Sequence, residues 1–180
     1  MSWSVVFISG FFWLLLWQNY KKIMKIILLT IGKTADREIE PLIARYVDRV
    51  SRFVPFEYKV LPDVRLPSNA THERQKELEG EAMLSVIGGS DVVVLMDERG
   101  ATPTSRQFAI ELDKLMVNTQ RNIIFVIGGP YGFSPDMYAR ANRKLALSAM
   151  TLTHEMARLF LAEQLYRALT ILRGMPYHHD

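Results

Sequence analysis

Five apolar residues in a row, Ile123-Ile124-Phe125-Val126-Ile127, stop abruptly at Gly128-Gly129-Pro130-Tyr131-Gly132. A run this short, rich in β-branched and aromatic side chains and lacking any polar face, reads as a strand covered on both sides. Strands of that kind belong to parallel sheets, whose crossover helices cover both faces. The loop that follows leaves backbone N–H and C=O groups in need of partners. A ligand at the carboxyl end of a parallel strand is one such partner. The loop is not a dinucleotide fingerprint, which needs Gly-x-Gly-x-x-Gly opening a helix, and no Gly-Lys-Ser/Thr makes it a phosphate loop. On spacing alone it is a tight turn.

The rest of the chain repeats strand and helix around that centre. Lys25 to Ile31 is a predicted buried strand closed by Gly32, and Asp36 starts a helix with Pro41 in its first turn. Ile39, Leu42, Ile43, Tyr46, Val47, Val50 and Phe53 form one face of that helix. Arg45, Arg49 and Arg52 lie on another, read as an ordinary solvated face because Asp48 sits among them. Phe56, Tyr58 and Val60 alternate like a half-exposed strand. Pro62 to Ala70, with Arg65, is a loop by composition. Thr71 to Ile87 is a charged helix with a narrow apolar stripe (Leu78, Met83, Leu84, Ile87), ended by Gly88-Gly89. Val92 to Met96 is a second buried strand, running into Asp97-Glu98-Arg99-Gly100. Thr104 and Gln107 fit a capping box for a helix reaching about Val117. Pro135 to Arg143 is a short helix, and Leu145 to Leu152 a short strand with a loop. The last helix, His154 to Arg173, is apolar around nearly its whole circumference, so it needs burial on more than one side, including a subunit interface. The alternation predicts an α/β fold: a mostly parallel sheet with flanking helices.

The 180 residues, 49% of them apolar, suit one domain with a proper core. The absence of cysteine excludes disulfides, zinc thiolates and cysteine nucleophiles, and it fits a reducing compartment. The net charge of +3 is spread among interleaved charges, which permits a nucleic-acid partner without demanding one. Residues 1–23 differ from the rest. Val5 to Trp17 is apolar and uncharged, short for a bilayer span and lacking the features of a secretory signal. Met24 opens a good first strand, so the reading is translation from Met24, with 1–23 a mis-assigned start or a disordered extension. A membrane tether is the competing idea, and intact-mass analysis of the native protein decides between them. A single domain is then expected over 24–180.

Chemistry-bearing side chains concentrate at the C-terminus. Glu163, Arg167 and Thr170 make a polar stripe at i, i+4, i+7 on the apolar last helix. The Glu163–Arg167 pair is either an intrahelical ion pair or part of a site; amid so much apolar surface, the site reading is taken. Leu147-Ser148-Ala149-Met150-Thr151-Leu152 offers backbone groups, apolar walls and two hydroxyls but no charge, which suits a purine-bearing ligand better than a polyphosphate. His154 reads as a structural hydrogen-bonder. His178 and His179 are either frayed ends or, with Tyr177 after Pro176, something more specific. No second His/Asp/Glu cluster has ligand spacing, so no metal is expected. Gly-x-Ser-x-Gly, the mark of a serine hydrolase, is absent.

Several segments together resemble one family. These are Met24-Lys25-Ile26, Met96-Asp97-Glu98-Arg99-Gly100, Ile127-Gly128-Gly129-Pro130, Leu147 to Leu152, Glu163-Gln164-Leu165-Tyr166-Arg167-Ala168 and Pro176-Tyr177-His178. As an ordered set they are similar to the RlmH family, SPOUT-class methyltransferases of large-subunit ribosomal RNA, and the similarity runs from Met24 to Asp180. The resemblance implies a C-terminal trefoil knot, a homodimer and S-adenosylmethionine as methyl donor. It implies methylation of N3 of a pseudouridine in 23S ribosomal RNA, in the hairpin at the subunit interface of assembled ribosomes in the cytoplasm. By position, Met96, Gly128, Gly129, Gly132, Leu147, Ser148, Ala149, Met150, Thr151 and Leu152 fall at the cofactor site. Tyr177, His178, Arg167 and Glu163 fall at the catalytic site. Thr153 stands where the family usually has proline, and His179 where a lysine or arginine is common.

The chemistry asks little else of the protein. Methyl transfer from a sulfonium is a direct displacement, so alignment is the main task and can supply about 7–11 kcal/mol. The imide N–H must also be removed, a task suited to a histidine titrating near neutrality. The expected roles are His178 as proton acceptor, Arg167 as partner of the imidate oxygen, Tyr177 stacking on or orienting the base, and Glu163 holding Arg167. Lys33, Arg37 and Arg65 are candidate RNA contacts. Two alternatives stay open: a SPOUT methyltransferase with another RNA target, or a non-catalytic ribosome-binding factor, membrane-attached if 1–23 is real.

Overall fold

The computed structural model describes residues 24–119 and 121–179. The expectations for 1–23 lie outside the described residues. Among the described residues there are five strands: β1 (Ile26–Ile31), β2 (Phe56–Leu61), β3 (Val92–Ala101), β4 (Ile123–Ile127) and β5 (Arg143–Leu145). The helices are α1 (Ile39–Ser51), α2 (His72–Leu84), α3 (Ser105–Asn118), α4 (Pro135–Arg140) and α5 (His154–Leu172). The strands form one sheet in the order β2-β1-β4-β3-β5, parallel throughout. The α/β fold read from the sequence is the one observed.

β4 is buried along its whole length because it lies between β1 and β3 with helices on both faces. Its side chains alternate between two cores. Ile123, Phe125 and Ile127 pack with Val50 of α1, Phe108 and Leu112 of α3 and Leu161 and Leu165 of α5. Ile124 and Val126 pack with Met83 of α2 and Met137 of α4. A sheet covered on both sides thus explains why the run lacks a polar alternation.

Helix entries follow side-chain chemistry. Thr104 and Gln107 form the predicted capping box on α3. Thr71, Ser134 and Thr153 accept backbone N–H groups at the starts of α2, α4 and α5. Thr153 is therefore the N-cap of α5. At α1 the helix proper begins at Ile39, later than Asp36, because Asp36 acts from outside: its Oδ1 accepts from Glu38 N at 2.7 Å and Ile39 N at 3.3 Å.

β3 runs past Met96 to Ala101, beyond the apolar run that predicted it. Both Met96 and Ala101 register with Leu145 of β5, so the residues between them bulge out of the ladder. Gly100 sits at that crossing, where a Cβ would meet the Leu145 backbone N at 2.5 Å. Among the described residues no helix is long and apolar enough to cross a membrane.

Candidate functional site

Met96, Ile127 and Leu145 stand in one row across β3, β4 and β5, since Met96 registers with both neighbours. The loops leaving β4 and β5 and the bulge of β3 after Met96 therefore start level and meet over the carboxyl edge of the sheet. They enclose a cleft of about 780 Å³, lined by Met96, the glycine loop, Leu145 to Leu152 without Ala149, and His154 and Ala157 of α5. Every predicted cofactor residue except Ala149 lines it. The glycine loop is a tight turn as its spacing implies: Gly132 N donates to Gly129 O at 3.2 Å, and Gly132 has φ +82°, a left-handed conformation that glycine adopts without strain. The facing loop is pinned too, with Met150 N donating to Ser148 Oγ at 2.9 Å and Thr151 Oγ1 donating to Glu98 Oε2 at 3.4 Å.

Two parts of this cleft were not legible in the sequence. Behind the glycine loop lies Glu79 of α2, only 6% exposed, against Gly129; a Cβ on Gly129 would collide with its carboxylate. Gln75 Nε2 donates to one Glu79 oxygen at 2.8 Å, whereas Oε2 has no hydrogen-bond partner. Burial pushes this carboxyl above its usual range, helped by the charge of Asp63. Asp97, lining the cleft at the bulge of β3, accepts from Tyr138 Oη, from Arg99 N at 2.8 Å and from Arg99 Nε at 3.3 Å. Burial alone would raise the Asp97 carboxyl, but these bonds outweigh it and hold it below the usual range.

A second group forms at the far end of α5. Arg167 is ion-paired to Glu163, its own helical neighbour at i−4, and a hydrogen bond joins Arg167 Nη1 and His178 Nδ1 at 3.3 Å. Tyr177 Oη donates to Glu163 Oε1 at 3.1 Å and lies 3.2 Å from Tyr46 Oη. The Tyr177 ring is edge-on to Tyr166 at 4.7 Å, and the Arg167 guanidinium lies 4.9 Å from its centroid. The structure thus brings together all four predicted catalytic residues and adds Tyr46 of α1 and Tyr166 of α5, neither of them assigned a site role from sequence. Arg49, read from sequence as solvated, packs 5.4 Å from the ring centroids of both Tyr46 and Tyr166. The hydrogen bond to Glu163 raises the Arg167 pKa, keeping it a fixed cation. Burial, then the bond to Tyr46 and the Glu163 charge, push the Tyr177 phenol well up, so it is a donor and not an anion.

The two groups do not share one cavity. The cleft touches α5 at His154 and Ala157, and Arg167 lies about 15 Å further along the helix axis. His154 is exposed at the cleft wall rather than bonded into the core. Lys33, Arg37 and Arg65 are exposed. The loop carrying Lys33 is held by α5: Arg158, 1% exposed, donates to Ile31 O at 2.7 Å and Thr34 Oγ1 at 3.1 Å, while Glu155 Oε1 accepts from Ala35 N at 2.6 Å.

Comparisons with known proteins place this geometry. A family model described as a predicted SPOUT methyltransferase matches residues 24–178. The chain is 48% identical to the Ribosomal RNA large subunit methyltransferase H of Christiangramia forsetii over 156 residues, 87% of this chain and 99% of that protein. It is 46% identical to the proteins of the same name from Flavobacterium johnsoniae and Porphyromonas gingivalis, each over 157 residues, 87% of this chain and 100% of the relative. Carboxyl-edge cleft and matches together define a SPOUT-class methyltransferase. Within that class, the chain belongs to the ribosomal RNA large subunit methyltransferase H family.

Proposed function

We propose that this protein methylates large-subunit ribosomal RNA from S-adenosylmethionine, at N3 of a pseudouridine, acting on assembled ribosomes in the cytoplasm as a homodimer. The names of its relatives support the RNA class, and the family supports methyl transfer. The finer target rests on the ordered motifs described above.

The cleft fits the donor. Its volume of about 780 Å³ lies within the usual range for small-molecule sites. Met96, Ile127, Leu147 and Leu152 give apolar walls for a purine, and the turn at Gly128 to Gly132 brings main chain close. In this reading Met96, Gly128, Gly129, Gly132 and Leu147 to Leu152 hold it, and bound there it supplies an electrophilic methyl group on a sulfonium.

The observation that carries the dimer is the separation along α5. Reacting atoms must come within about 3–3.5 Å, and a single copy keeps its Arg167 cluster well away from its own cleft. A second copy supplies the missing half, and exposed Phe160 (43%) and Met175 (43%) on α5 and the tail give it apolar surface to bury. At the composite site Arg167 is held by Glu163 to meet the imidate oxygen. Arginine only donates, so the Arg167–His178 bond makes His178 Nδ1 its acceptor. When the substrate oxygen takes over that guanidinium proton, Nδ1 is released to accept the N3 proton. Tyr177, its ring between Tyr166 and Arg167, orients the tail.

Subunit mixing tests this. A cleft variant (Gly128→Trp) and a tail variant (Arg167→Ala), each inactive alone, regain about a quarter of wild-type methylation of unmodified ribosomes on co-refolding, because one heterodimer site is then intact. Primer extension maps the methylated nucleotide. No recovery in heterodimers, or no calorimetric binding of S-adenosylmethionine by the wild type, overturns the reading.

A further inference from the structure

Next to the donor cleft lies a smaller one of about 340 Å³, lined by Arg99, Tyr138, Ala141, Asn142, Arg143 and Lys144. Arg99 and Tyr138 line both, so the two adjoin. Its charged lining consists of three cations. Two of these cations have carboxylate partners: Asp97 binds Arg99 and Tyr138, and Glu111 lies 3.9 Å from Arg143. Lys144 Nζ and Arg99 Cζ lie 5.8 and 5.4 Å from the centroid of the Tyr138 ring. Asn142 Oδ1 is taken by Val93 N at 2.8 Å and Arg140 Nη1 at 3.3 Å, leaving the amide NH₂ as a donor.

We propose that this groove binds the phosphodiester backbone of the RNA strand flanking the target nucleotide, with Arg143 and Lys144 as the contacts and Arg99–Tyr138 as the joint to the donor cleft. The inference rests on the proposed RNA methylation and adds where the strand runs. A base delivered to the donor cleft drags its neighbouring phosphates to the cleft rim, and a cationic groove opening from that rim is where their charge is neutralised. Lysine and arginine on β5, an edge strand, also discourage sheet-to-sheet pairing. That role alone does not account for a concave groove joined to the donor cleft.

The test is Arg143→Gln/Lys144→Gln in the full chain, with Arg143→Lys/Lys144→Arg as the charge-keeping control and thermal unfolding to confirm the fold. The probe is unmethylated ribosomes, bound directly and then methylated. The neutral double variant should bind about tenfold more weakly, and its slope of log affinity against log salt should fall by about 1.4, two single-strand phosphate contacts. Donor binding and kcat should be unchanged, and the control should retain wild-type affinity. Equal ribosome affinity and salt slope in the neutral variant, or aggregation as its only defect, would overturn the groove. Because binding is read without catalysis, a wild type that binds ribosomes but transfers no methyl group defeats the activity and not the groove.

Discussion

The cleft at the carboxyl edge and the cluster at the end of α5 are built by opposite means. The cleft is main chain and apolar wall: two strand ends and the bulge of β3 at one level, a glycine turn, and a loop tied down by its own hydroxyls. The α5 cluster is side-chain charge and phenol, with Glu163, Arg167, Tyr46, Tyr177 and His178 joined in one hydrogen-bonded group. A site that holds a ligand by shape uses backbone, because main-chain positions are fixed by the sheet. A site that manages charge on a substrate uses ionisable groups, whose protonation their neighbours set. The cleft is lined by residues of one chain, and the α5 cluster lies about 15 Å along the helix from it.

Three predictions sharpen or break that contrast. The largest effect is expected from Arg167→Ala: kcat for methylation should fall by about 10²–10³, the usual loss for one donor to a developing oxyanion. Calorimetric affinity for S-adenosylmethionine should stay at the wild-type value; a parallel loss of affinity would mean the two regions are one site. Gly129→Ala should do the reverse. Its Cβ runs into the Glu79 carboxylate and displaces the turn, and an overpacking cost of about 1–3 kcal/mol carried into the bound state weakens donor binding by about 5- to 150-fold. Adding Glu79→Ala should recover part of that loss, and failure to recover any would show that the collision is not the cause.

The smallest effect concerns stability. Glu79 is buried with one oxygen unpartnered and its pKa raised by burial. The stability its protonated form contributes is fully present below the unfolded pKa, about 4.3, and is lost as pH rises through the raised folded pKa. Glu79→Gln should therefore stabilise the protein at pH 8 by about 1 kcal/mol, the lower end of the cost of an unsatisfied buried polar group. The gain should shrink toward pH 4. A gap in Tm that does not vary with pH would assign the cost to packing instead of charge.

What could be read in advance follows from the range of the interactions. The Ile123–Ile127 strand, the capping box of Thr104 and Gln107, and the Glu163–Arg167 pair all depend on residues within a few positions of one another, so the order of the amino acids carries them directly. The α/β class follows from the same local periods. Sequence order could not carry the bulge of β3, since pairing with Leu145 creates it. It hid Glu79 among the charges of α2, because the packing of the glycine loop against that carboxylate joins distant segments. Tyr46 meets Tyr177 across 131 positions, and Arg158 reaches back 127 to Ile31. Residue types and their spacing thus determined which chemistry this protein has available. The packing of α1 and α5 on one face of the sheet, and of the glycine loop on α2 at the other, decided which of those groups meet, because contacts between distant segments are fixed by strand order and helix crossing rather than by neighbours in the chain.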